Sequence, residues 1–173
     1  MSVHDFNELP ASEAERLLRS CLPVERWIST VAQGRPYADW PALRSTAESA
    51  AAHLSDDELE TALAGHPRIG ERASGPRHEA AHSAREQSGV DRDDPAVARA
   101  LAEGNAAYER RFDRVFLIRA AGRTAPEILS ELHRRLSNDD RTERDETVTQ
   151  LREIALLRLQ QAAAPDAVTQ EAT

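Results

Sequence analysis

Three stretches of the chain carry residue types that can move a proton or hold an anion. His66-Pro67-Arg68-Ile69-Gly70 follows a helical pattern that ends at Ala64-Gly65. Gly65 suits a helix C-terminus and Pro67 prevents the helix from continuing. The His66 imidazole is therefore carried at a helix end on a stiff segment, a placement that suits an acid/base group. The plainer reading is a histidine that hydrogen-bonds the last carbonyls of that helix. Ser83, Glu86 and Gln87 fall at i, i+3 and i+4, so on a helix they share one face. That face offers a hydroxyl, a carboxylate and an amide to one ligand, or else is a solvated helix end closed by Gly89. In the last helical pattern Val148, Leu151, Ala155 and Leu159 form an apolar stripe, and Arg158 falls within it. A guanidinium directed inward needs an internal carboxylate or an anionic substrate; the alternative is a stem laid over the core with its head in water.

A fourth stretch, His78-Glu79-Ala80-Ala81-His82, matches H-E-x-x-H, with Glu86 one turn further on. A zinc hydrolase built on it also needs a third ligand and an open fourth position. Zincin ligands come from more distant segments in a fold with a sheet, and histidines four apart on a helix are commonly a solvated face.

The elements that must position these residues are helical. Ser12-x-x-Glu15, Ser55-x-x-Glu58, Thr124-x-x-Glu127 and Thr142-x-x-Asp145 each have the capping-box pattern, and Asp94-Pro95 supplies a cap followed by proline at the first helical position. Apolar residues spaced by three and four follow each start, as in Leu129, Leu132 and Leu136. The pattern predicts helices over 12–20, 24–33, 41–53, 55–64, 77–88, 95–119, 125–136 and 142–163. Val115-Phe116-Leu117-Ile118, the one β-like run, has no partner and is absorbed into the sixth helix. The expected fold is all-α, a single compact bundle of about eight helices over residues 1–161, with 162–173 a frayed tail. The main irregular stretches are Gly65 to Pro76 and Ser88 to Asp94.

Composition narrows the partners. The 173 residues carry 30 acidic and 22 basic side chains, a formal charge of -8, which argues against a nucleic-acid footprint. All the basic residues are arginine, so Schiff-base chemistry by lysine is excluded. No apolar run approaches the roughly 18 residues of a membrane span, and the N-terminus has no signal-peptide pattern. The single cysteine, Cys21, excludes an internal disulfide and a multi-cysteine zinc site. A reduced, soluble, cytoplasmic protein is expected. A non-catalytic helical interaction module is also compatible with this charge and these amphipathic helices.

The ordered set of motifs resembles the 2-oxo-4-hydroxy-4-carboxy-5-ureidoimidazoline (OHCU) decarboxylases of urate degradation. The matching pieces are His66-Pro67-Arg68-Ile69-Gly70, Ser83-x-x-Glu86-Gln87-x-Gly89, Asn105-x-x-Tyr108-x-x-x-Phe112, Phe116-Leu117-Ile118, Gly122-Arg123-Thr124, Arg135-Leu136-Ser137-Asn138-Asp139 and Leu157-Arg158-Leu159, with Phe6-Asn7 and Arg35-Pro36-Tyr37 at the start. The resemblance implies an all-α fold and decarboxylation of OHCU to (S)-allantoin without metal or other cofactor. It implies His66 as the catalytic acid/base and Glu86 as its partner. Pro67, Ser83, Gln87, Phe116, Ile118 and Arg158 are then the substrate-binding residues. It further implies a homodimer, with urate oxidase and hydroxyisourate hydrolase as pathway neighbours. One departure stands out: members commonly have glycine after the Phe112 position, and this chain has Asp113.

Overall fold

Side-chain caps fix where most of the helices begin. The computed structural model describes residues 1–66, 68–70 and 94–164. Among them the regular elements are eight α-helices: α1 Val3–Glu8, α2 Ala11–Cys21, α3 Glu25–Gln33, α4 Trp40–Ala51, α5 Asp56–Ala64, α6 Pro95–Phe112, α7 Ala125–Arg135 and α8 Asp140–Ala163. The all-α class is the one the helical patterning predicts.

Three expected starts hold. Glu58 N donates to Ser55 Oγ while Ser55 N donates to Glu58 Oε2; Ala96 N donates to Asp94 Oδ1 ahead of α6; and Thr124 N donates to Glu127 Oε2 ahead of α7. Two starts differ. Ser12 lies inside α2, which opens on Ala11 after Pro10 with no side-chain cap. The cap of α8 is Asp139, whose Oδ1 accepts from Thr142 N at 2.7 Å, so that helix opens before Thr142. Helix α1 is an addition, set by the reciprocal Ser2–Asp5 pair; six residues are too few to show a periodicity. The helix expected over 77–88 lies outside the described residues.

Close contacts divide the chain into two compact units, one holding residues 1–62 and 151–164 of those described, the other 63–150. In the first, Trp27 of α3 is fully buried and its indole N–H donates to the Ala47 carbonyl of α4 at 2.9 Å. The Phe6-Asn7 and Arg35-Pro36-Tyr37 motifs meet here. The Asn7 amide pairs reciprocally with the backbone N–H and C=O of Tyr37, and Arg35 donates to the Phe6 and Leu9 carbonyls at the end of α1. Carbonyls at a helix end lack a full set of intrahelical donors, and the Arg35 guanidinium supplies one to each.

In the second unit Leu101, Tyr108, Phe112, Phe116, Ile118, Ile128 and Leu132 form the core with Ile69. Gly104 lets α6 approach α7: a Cβ there would fall 1.9 Å from Leu132 Cδ2.

The expected helix over 95–119 is corrected here. α6 stops at Phe112, and residues 115–120 are neither helix nor strand. The cause is Asp113, which sits in the left-handed region at φ 52 and ψ 34 with its N–H on the Glu109 carbonyl. That is the helix-ending position where glycine has no steric penalty, and this chain places an aspartate there instead. Asp113→Gly is therefore expected to stabilise the protein by about 1 kcal/mol. A melting temperature raised by roughly 2–4 °C is the readout; an unchanged or lower value removes the strain argument.

Candidate active site

The segment carrying His66 is built by α5 and α6. α5 ends at Ala64, and the His66 N–H donates back to the Leu63 carbonyl at 2.9 Å, so the imidazole leaves the helix within its first free turn. His66 is half-buried. The next residues are held by one stripe of α6, in which Leu101, Asn105 and Glu109 are spaced by four and so lie above one another. The Arg68 guanidinium grips Glu109 with two nitrogens, Nη2 to Oε2 at 2.8 Å, and this pairing holds the Glu109 carboxyl below the usual carboxylate range. The Ile69 side chain is buried in the core, and its carbonyl accepts from Asn105 Nδ2 at 3.0 Å. Gly70 turns away at φ 87, a conformation that favours glycine, and a Cβ there would lie 3.1 Å from Leu101 Cδ1. A cavity of about 320 Å³ beside this clamp is walled by Arg68, Ile69, Gly70, Leu101, Asn105 and Glu109 among others.

The Phe116–Ile118 segment is held by a buried ionic cluster to which the sequence alone assigned no role. Arg135, at the end of α7, is 1% exposed and Glu143, in the first turn of α8, is 0% exposed. Arg135 Nε donates to Glu143 Oε1 at 2.8 Å and Nη2 reaches both that oxygen and Thr147 Oγ1. Its remaining nitrogen, Nη1, donates to the Leu117 carbonyl at 2.7 Å, and the guanidinium lies 4.9 Å from the centroid of the Phe116 ring. Tyr108 donates its hydroxyl to Glu143 Oε1; burial first, then that contact, push its phenol up to about 12, so it stays a donor across the working pH range. Asn138 Nδ2 occupies the other carboxylate oxygen at 2.9 Å. Each ion is thus paired and hydrogen-bonded, the condition for burying charge.

Of the residues singled out from sequence, His66, Phe116 and Ile118 fall in the second unit and Arg158 in the first. Phe116 and Ile118 are core residues, 2% and 5% exposed. Arg158 is 4% exposed, so of its two readings the inward-directed guanidinium is the one observed. Pro67, Ser83, Glu86 and Gln87, together with the His78-Glu79-x-x-His82 motif, lie outside the described residues. Glu143 was recoverable: carrying the α8 stripe back by fours from Leu151 reaches Thr147 and Glu143, a carboxylate on the inward face.

Comparison with known proteins gives a consistent answer. A family model described as OHCU decarboxylase matches residues 7–160. The uric acid degradation bifunctional protein of Bacillus sp. (strain TB-90) is 24% identical over 165 residues, which are 93% of this chain and 32% of that protein; the chain thus spans about a third of that relative's length. A crystal structure of OHCU decarboxylase in the presence of (S)-allantoin superposes with a TM-score of 0.69 at 21% identity, covering 83% of this chain and 94% of the other. A crystal structure of (S)-allantoin synthase gives 0.67 at 17% identity, covering 94% of this chain and 54% of the other. The helical fold is shared with both, and the family match takes in nearly every residue from the Asn7 latch to the end of α8: the chain belongs to the OHCU decarboxylase family.

Proposed function

We propose that this protein decarboxylates OHCU to (S)-allantoin in urate degradation, with His66 and Glu86 handling protons and Pro67, Ser83, Gln87, Phe116, Ile118 and Arg158 binding the substrate. The observation that carries the reading is the family match over 7–160, within which all eight of these residues lie. OHCU has a carboxylate and a hydroxyl on one ring carbon, beside an imine carbon that bears the ureido group. When the bond to the carboxylate breaks, its electron pair forms a double bond to the neighbouring carbon, and the imine nitrogen takes up the charge and is protonated from solvent. Carbon dioxide leaves; the hydroxyl proton is then lost as the ring carbonyl forms. A proton added to one face of the ureido-bearing carbon sets the product's hand. The imine is the electron sink that a cofactor supplies in other decarboxylations.

The residues suit those steps. The His66 imidazole relays the hydroxyl proton, and Glu86 orients it. Arg158, already buried, suits a planar carboxylate or ring carbonyl. Gln87 and Ser83 match the donors and acceptors of the ureido group.

The same reading makes the substrate a small molecule and the enzyme a cytoplasmic homodimer that follows urate oxidase and hydroxyisourate hydrolase in the pathway. No helix among the described residues is long and apolar enough to cross a membrane. The test is circular dichroism of allantoin formed from freshly generated OHCU. An excess of the (S) enantiomer that grows with enzyme concentration is expected, since spontaneous decay gives a racemate. A racemic product at every enzyme concentration would remove the proposal.

A further inference from the structure

We propose that Asn105 is a positioning residue for the His66 imidazole, acting through the backbone of the segment between them; the inference rests on the reading of His66 as the acid/base group. Asn105 is 3% exposed and spends its donor on the Ile69 carbonyl, while its own Oδ1 accepts no hydrogen bond among the described residues. A buried amide satisfied on one side only costs about 1–3 kcal/mol relative to one fully paired, and the bond to the Ile69 carbonyl is what offsets that burial. What the amide adds is direction. The orientation is also unambiguous, because the reverse one would set two carbonyl oxygens against each other.

The carbonyl it holds is three residues from His66. On the other side of the imidazole, the His66 N–H is tied to Leu63 in the last turn of α5. The backbone is thus tied at His66 itself and again at Ile69. Arg68–Glu109 acts on the same segment but is a half-exposed ion pair, which salt weakens. The Asn105 contact is buried and neutral, and it neither screens nor titrates. Misplacing a reacting group by about 1 Å costs on the order of 100-fold in rate, so a partial release of this anchor is expected to cost about 10-fold.

The experiment uses Asn105→Ala, Asn105→Leu and Asn105→Gln in the full chain, with kcat and KM for (S)-allantoin formation across pH. Nitrogen-15 spectra are recorded alongside, with the His66 imidazole assigned by its loss in His66→Gln. Asn105→Ala and Asn105→Leu are expected to lower kcat about 10-fold, with KM within about twofold and the pH limbs unmoved. The His66 imidazole signal should broaden or split in both. Asn105→Gln, which keeps the amide donor on a longer arm, should recover part of the rate. A folded variant with wild-type kcat and an unchanged His66 signal would overturn the inference. So would a rise in KM that accounts for the whole loss, since that marks a binding contact. If Asn105→Ala does not fold, Asn105→Leu fills the space and carries both readouts. Wild-type protein with no enantioselective turnover would instead sink the functional reading, and the imidazole spectrum would still decide whether Asn105 holds His66.

Discussion

Replacing His66 with alanine is expected to lower kcat for (S)-allantoin formation by about 10²–10⁴-fold, the usual contribution of a positioned acid/base group, while leaving the fold intact. The side chain is half-buried on a segment secured without it: by the His66 N–H on Leu63, the Ile69 carbonyl on Asn105 and the Arg68 side-chain fork on Glu109. Removing an imidazole from such a segment takes away chemistry and leaves those contacts. The melting temperature of His66→Ala should therefore stay within a few degrees of wild type. The loss should appear in kcat more than in KM, because proton transfer is made in the transition state and contributes little to ground-state binding. Steady-state kinetics read by circular dichroism, with the spontaneous rate subtracted, measure it. Activity within twofold of wild type would take His66 out of the mechanism.

Arg135→Met should produce the largest loss of stability of any single substitution considered for this protein. The carboxylate of Glu143 has no exposure of its own and relies on Arg135 for its charge balance. Breaking such a pair leaves an uncompensated buried charge and costs about 3–5 kcal/mol. For a chain of this size that is a fall in melting temperature of roughly 10–15 °C. The Arg135→Met/Glu143→Leu double variant should recover much of the loss, because replacing both ions by apolar groups is often close to neutral. The double variant still lacks the donor to the Leu117 carbonyl and the cation over Phe116. It is thus expected to regain stability without regaining full activity, if residues 116–118 contact the substrate. Thermal melts of the two single variants and the double variant measure the coupling. Additive losses would show that the pair is not the unit described above.

The caps that survive from sequence to structure are local: Ser55 with Glu58, Thr124 with Glu127, and Asp94 before Pro95 each involve residues within three positions. Thr142 fails because Asp139, three residues earlier, takes the same role and captures the Thr142 N–H. The end of α6 was illegible for a related reason: a left-handed aspartate breaks the helix where the usual glycine signal is missing. Arg158 was legible because its burial follows from periodicity within one helix. The Arg135–Glu143 pair joins the end of α7 to the start of α8, where charged residues ordinarily read as helix-dipole partners. Spacing within α8 puts Glu143 on the inward face, but its pairing with Arg135 depends on packing beside Tyr108 and Phe116, which spacing alone does not encode. The Phe6-Asn7 and Arg35-Pro36-Tyr37 motifs are the converse case. They were visible as a pattern, and the reciprocal pairing of Asn7 with the Tyr37 backbone supplies their physical reason.

The most direct test is of the bond that breaks. OHCU labelled with carbon-13 at its carboxylate, generated in place and followed by NMR, reports loss of that carbon as carbon dioxide and bicarbonate. The account predicts a rate of label release proportional to protein concentration and matched one for one by (S)-allantoin. Label release that proceeds at the spontaneous rate whatever the amount of folded protein would contradict it.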